Sequence, residues 1–158
     1  MKINVAIELF ENLISNTDKK SELRIYESFI GVLKSLEIKN LDTEKLQIIE
    51  EELDRLELNT STDSKKKYYS KKLNEFNSFL KEKFSFITEN YHISIGIGIG
   101  MSMGTSLGIS LGVAFGRETG MTYGMIFGMM FGMMAGIIIG TIMDTQAKEN
   151  GLVLSTNE

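Results

Sequence analysis

The stretch SIGIGIGMSMGTSLGISLGVAFG, residues 94–116, carries three periods at once. Two at a time it alternates, with a bulky residue at each odd position and Gly, Ser or Ala at each even one, as a strand would. Four at a time it sets glycine at 96, 100, 104, 108, 112 and 116, close to the turn of a helix. It also contains G-x-G-x-G, a fragment of a phosphate-binding loop. What the protein can be depends on which period is structural.

The residues downstream decide between them. From Ile93 to Gly116 there are 24 residues without a charge, and from Met121 to Met143 another 23. A helix needs about 20 residues to cross hydrocarbon. Arg117, Glu118 and Thr119 between the two segments suit a tight turn. The glycines continue in step through Gly120, Gly124, Gly128, Gly132, Gly136 and Gly140, twelve in succession at every fourth residue. A lipid-facing barrel strand would need alternation in both segments, but Met121–Met143 has bulky residues at odd and even positions alike. A phosphate loop would need G-x-G-x-x-G or G-K-[ST] after a strand, and neither is present. The period of four is the structural one, and it predicts a transmembrane helical hairpin.

In water each glycine would weaken a helix by about 1 kcal/mol relative to Ala. In lipid, where no hydrophobic effect draws helices together, absent side chains let two backbones approach and gain dispersion and weak hydrogen bonds. Pairing Gly96 with Gly140, and so on to Gly116 with Gly120, keeps the paired numbers totalling 236 and centres the hairpin on Glu118. A second small row, Ser94, Gly98, Ser102, Ser106, Ser110 and Ala114, is offset by two residues, about 200° around the first helix. The matching row of the second helix is bulky: Thr122, Ile126, Met130, Met134, Ile138 and Ile142. The first helix is therefore read as inner and the second as outer, with the small row meeting a neighbouring subunit or lining a narrow polar path. A four-residue repeat overshoots the 3.6-residue turn by about 40° in a right-handed sense, which predicts crossed helices or several neighbours, and so an oligomer. The first segment holds seven Gly, four Ser and one Thr, so insertion from a soluble or masked state is an open alternative.

Residues 93–143 hold 13 of the 15 glycines and two charges, whereas residues 1–92 carry nearly all the charge. Helical spacing is clear there. Val5, Leu9 and Leu13 mark a first helix ended by Thr17 and Asp18. Ser21 is read as the cap of a second, through Ile38, with Leu23, Tyr26, Ile30 and Leu33 on one face. Asp42 caps a third with Leu46, Ile49, Leu53 and Leu56, and the run NTSTDS (59–64) turns the chain. A fourth starts near Ser64 and carries Tyr69, Leu73, Phe76 and Leu80 inward, then Phe84 and Ile87. Residues 41–57 hold seven acids against two bases, and residues 65–83 seven lysines against two acids, so the last two helices would pair acidic face to basic face. Lys65, Lys66, Lys67, Lys71, Lys72, Lys81 and Lys83 read either as a solvated face or as contacts to anionic lipid head groups, since aromatics interleave and the apolar segment follows. Nucleic acid is not expected as a partner, because the acidic helix would cancel the field. Four modest helices bury only a small core, which makes association plausible for this part too.

The chain has no cysteine, which excludes disulfides, thiolate metal sites and thiol nucleophiles. Glu8 and Glu11 interrupt the N-terminal apolar residues, so no signal peptide is read there. His92, the single histidine, stands at the start of the apolar segment and reads as an ordinary interfacial residue. Met121, Met125, Met129, Met130, Met133 and Met134 read as flexible apolar packing rather than soft-metal ligands. No nucleophile with its base and no carboxylate pair is apparent, so no enzyme, cofactor or metal is expected.

Residues 96–140 resemble the bacterial glycine-zipper membrane proteins, short chains with GxxxGxxxG hairpins, and are loosely similar to the glycine-rich hairpin of mitochondrial cristae-shaping proteins. The resemblance implies self-association in a membrane. The expectation is an all-α protein: a four-helix cytosolic domain (1–92), a glycine-zipper transmembrane hairpin (93–143) and a polar C-terminal tail (144–158). With lysines flanking the hairpin, both termini are expected in the cytosol, at a bacterial cytoplasmic membrane. The expected activity is permeabilising, as a homo-oligomeric pore or channel-type effector controlled by the helical domain, which would bind an unidentified protein or ligand. A non-conducting scaffold that clusters or curves the bilayer, and a membrane-anchored binding module, are the alternatives.

Overall fold

With no proline in the chain, helices stop through left-handed residues instead: Asn40, Glu57 and Ser85 take φ of 44, 52 and 59° just past three helix ends. The computed structural model describes residues 1–59, 65–114, 116 and 119–156. Among these the elements are α1 (Ile3–Ser15), α2 (Lys20–Ile38), α3 (Thr43–Arg55), α4 (Lys65–Phe84), β1 (Ile87–Thr88), α5 (Tyr91–Ala114), α6 (Thr119–Glu149) and β2 (Val153–Leu154). The fold is all-α apart from the two short strands: four helices, then two long apolar ones. The 59–64 turn, beyond Asn59, and Arg117 and Glu118 of the hairpin turn lie outside the described residues.

Two units form: Met1–Glu89 with Leu152–Glu158, and Asn90–Gly151. In the first, Phe10 of α1 stacks on Phe29 of α2 at 4.3 Å, and Tyr69 of α4 meets Tyr26 of α2 edge-on at 5.3 Å. Ile49, Leu53 and Leu56 of α3 and Phe76 and Leu80 of α4 complete the core. The α1 face differs in part from the sequence reading: Leu9 and Leu13 pack half-buried against the core, but Val5 does not. Ile3, Ala6 and Phe10 are buried while Val5 is 51% exposed; spacing by fours from Val5 selects the neighbouring face, and the large ring of Phe10 decides the one that turns inward. The cap of α2 differs as well. Lys19 is extended, and its carbonyl accepts from the Glu22 and Leu23 amides, so the helix starts before Ser21.

Tyr26 is fully buried and its hydroxyl has no partner among the described residues; burial pushes its pKa up to about 12. Glu22 is the one buried charge among the described residues. The Thr17 hydroxyl donating at 2.8 Å, and after it the Lys19 ammonium at 3.3 Å, hold its carboxyl below the usual carboxylate range against the opposing effect of burial. A carboxyl depressed on folding contributes stability that is present above its unfolded value and lost as pH falls through the folded one. The urea midpoint should therefore fall between pH 7 and pH 3 by less in Glu22→Gln than in the wild type; parallel losses would remove Glu22 from the acid limb.

The largest departure is at the C-terminus. The span 144–158, read as a polar tail, contains the end of α6 and then a strap that belongs to the first unit. β2 pairs in parallel with β1, Ile87 opposite Val153 and Thr88 opposite Leu154, and the Ile87 amide donates to the Leu152 carbonyl at 3.0 Å. Leu154 is 1% exposed within the core. The Ser155 amide donates to Ser35 Oγ at 2.9 Å, and that hydroxyl donates to the Ser155 carbonyl at 3.2 Å. Parallel neighbours need a long crossover; here α5 and α6 are that crossover. The hairpin is thus an insertion into the first unit, not an appendage after it.

Candidate functional site

In α5 and α6 the glycine rows face each other. A Cβ built on Gly108 would lie 2.8 Å from the Gly124 carbonyl carbon and 2.9 Å from Gly128 Cα, closer than side chains tolerate. The same holds along the seam: Gly96 opposes Gly136, Gly100 Gly132, Gly104 Gly128, and Gly112 Gly120. The pairs total 232, one repeat away from the expected 236. The reason is the turn. Gly120 donates its amide to the Gly116 carbonyl at 3.1 Å, so the two belong to one helical turn and cannot face each other. Gly116, at φ 135°, takes a conformation L-residues rarely adopt, and a Cβ there would meet nothing within 4 Å. Gly140 meets the backbone of His92 and Ile93 instead of Gly96. The seam also stays against one partner from Gly96 to Gly112, where the sequence favoured crossing or several neighbours. A four-residue repeat does this only when the two helices coil around each other in a right-handed sense.

At the open end of the hairpin, α6 caps α5. Asp144 Oδ1 accepts from the His92 amide at 3.0 Å and lies 2.9 Å from His92 Nδ1, while Oδ2 accepts from the Ile93 amide at 3.1 Å. A carboxylate thus occupies the first turn of α5, where free amides and the helix dipole favour negative charge. Sequence reading missed this role. Its signal was a lone acid one turn past Gly140, the last glycine of the row.

Four rows run along each helix. The small row of α5 is exposed throughout, and a Cβ on Gly98 would meet nothing within 4 Å. Its hydroxyls are satisfied within the helix: Ser94 donates to the Asn90 carbonyl at 2.9 Å, Ser102 to Gly98 at 2.8 Å, Ser106 to Ser102 and Ser110 to Ser106 at 2.9 Å. The opposite row of α6 (Thr122, Ile126, Met130, Met134, Ile138, Ile142) is exposed and, Thr122 apart, apolar. The two flanks between these rows are unlike. On one, Ile97, Met101, Thr105 and Ile109 with Met125, Met129 and Met133 are half-buried over the seam. On the other, Ile95, Ile99, Met103, Leu107 and Leu111 stand apart from Tyr123, Phe127 and Phe131, leaving a groove of about 1150 Å³ floored by glycine.

The lysines of α4 do not form one surface. Lys65, Lys66, Lys67 and Lys71 line a shallow groove of about 1130 Å³ with Lys19 and Arg55, but Glu22, Glu52, Glu75 and Glu82 line it too. Lys72 lies against Tyr68, 5.6 Å from the ring centre, and reaches Glu75 at 3.3 Å, with Lys71 also at 3.7 Å from Glu75. Lys81 and Lys83 stand in the last turn of α4. The polar link from α4 to the end of α3 is made by tyrosines: the Tyr68 hydroxyl donates to the Glu57 carbonyl at 2.8 Å and that of Tyr69 to Leu58 at 3.0 Å.

Both helices of the hairpin are long and apolar enough to cross a membrane, with mean hydropathies of 1.4 for α5 and 2.1 for α6. At 1.5 Å per residue they measure about 36 and 46 Å against a hydrocarbon core of about 30 Å. Only 11% of each apolar window is buried, unlike the core helix of a water-soluble fold. Searches against protein-family models, curated proteins and solved structures find no match to this chain.

Proposed function

We propose that this chain is a self-assembling membrane protein that permeabilises a bilayer, with a glycine-zipper hairpin as its spanning element and the helical unit as its controlling part. The observation that carries the reading is the exposed small row of α5, Ser94 to Ala114, on the side of the hairpin away from the bulky row of α6. The more polar helix, at a mean hydropathy of 1.4 against 2.1, suits the inside of an assembly, and Ile126, Met130, Met134 and Ile138 suit acyl chains. Because the serine hydroxyls donate within their helix, the lone pairs left over face outward. A lumen of such acceptors favours hydrated cations. The pairing of β1 with β2 supports a hairpin whose two ends leave from one side. With the lysine-rich α4 ahead of α5, that side is the cytosol of a bacterial cell.

Purified protein in phospholipid vesicles should release a trapped dye, and Ser106→Leu should reduce the release several-fold while the hairpin persists. Absence of leakage from well-incorporated protein would sink the pore. It would leave the second reading, a non-conducting scaffold, which the same self-satisfied hydroxyls favour, since a stripe without free donors can pack closely against protein.

A further inference from the structure

We infer that neighbouring copies join flank to flank, the half-buried flank of one hairpin seated in the glycine-floored groove of the next. The inference rests on the proposed reading in which α5 faces inward and α6 faces lipid. Successive residues on a helix lie about 100° apart. If the Ser106 row of α5 points inward and the Met130 row of α6, with Ile126 and Met134 in it, points outward, the rows on either side of the seam are what neighbours share. Those two flanks differ. Leu107 is 65% exposed and Phe131 67%, standing as walls on either side of the open groove. Ile109 and Met129, on the other flank, are half-buried over a seam they close.

Unlike flanks do not pair with themselves around a twofold axis. They pair head to tail, and a rotation about the membrane normal closes such contacts into a ring. No axial shift is needed. Groove and filling flank repeat every four residues and belong to the same pair of helices, so copies at one height present matching levels. Lipid fits less well. From Ile95 to Leu111 the groove wall runs about 24 Å, whereas a single leaflet supplies about half of the 30 Å hydrocarbon core. A neighbouring hairpin fills the whole length.

The chain has no cysteine of its own, so introduced pairs report contacts cleanly. Leu107→Cys with Ile109→Cys places one thiol on each flank of α5, pointing apart, where no disulfide forms within the chain. Oxidised in phospholipid vesicles, this double variant should give a ladder of disulfide-linked multimers, while Leu107→Cys alone gives none. Met103→Cys with Thr105→Cys, one turn away, should repeat the ladder and covers a failure of the first pair to insert. A ladder from Ser106→Cys with Ile126→Cys in place of these would overturn the inference, because the small row would then abut the bulky row. Oligomers by mass with no ladder from either flank pair would overturn it as well, leaving the groove to acyl chains. A ladder without dye release would keep the interface and discard the pore, and a monomer by mass would discard both.

Discussion

Gly108→Leu is expected to split the hairpin, and Gly98→Leu to leave it closed. The two glycines lie ten residues apart on one helix, and their surroundings are opposite. At Gly108 a Cβ would sit 2.8 Å from the Gly124 carbonyl carbon and 2.9 Å from Gly128 Cα, both backbone atoms that cannot swing aside; at Gly98 it would meet nothing within 4 Å. Relief requires the helices to part towards the 8–10 Å interaxial distance typical of side-chain packing, and the cost exceeds the ~1–3 kcal/mol of an ordinary overpacked core. In lipid no hydrophobic term restores the contact. Spin labels at Met103→Cys and Phe131→Cys, on the two groove walls, would read the result as a longer and broader distance distribution in Gly108→Leu and an unchanged one in Gly98→Leu. An unchanged distribution in both would mean that the seam is not what holds α5 to α6.

The contrast also shows where sequence was sufficient. The glycine row and the presence of two long apolar helices were legible because a strict four-residue spacing over twelve glycines survives any detail of packing, although α6 runs on to Glu149, past the 143 boundary that the loss of apolar residues suggested. The register was not, because it depends on the turn: Gly116 has the spacing of a seam residue, but its carbonyl accepts from the Gly120 amide. Periodicity identified the inward faces of α3 and α4, and on α2 it gave Tyr26, Ile30 and Leu33 but not Phe29, because residues 29–33 are buried without a break and leave no single face to read. On the short α1 it gave Leu9 and Leu13, which pack half-buried against the core, but it took Val5 in place of the adjacent Ala6, because the two lie on neighbouring faces and composition favours the larger side chain. Asp144 and the strap escaped for a different reason. Capping of α5 by an acid 52 residues along, and a two-residue strand at Val153–Leu154, are long-range contacts with no local pattern to announce them. The serine row was legible as a row, but a spacing does not say whether protein or water covers it.

The strap yields the other large effect. Leu154→Ala removes a side chain that is 1% exposed in the core of the first unit, and truncations of that kind cost about 2–5 kcal/mol. Gly31→Leu should do comparable damage from the other side, since a Cβ there would lie 2.8 Å from the Thr156 carbonyl carbon and 3.0 Å from the Ser155 oxygen. Either change lifts the same segment from α2, so the double variant should lose less than the two single losses combined. Urea unfolding of the full-length protein, followed by the near-ultraviolet signal of the buried Tyr26 and Tyr69, would measure all three. Full additivity, or no loss in Leu154→Ala, would show that the strap merely lies on the unit. The coupling matters because β1 leads into α5 and β2 follows α6. A strap that contributes to the core ties both ends of the hairpin to the folding of one small unit. Whatever loosens that unit also releases the segment that follows α6.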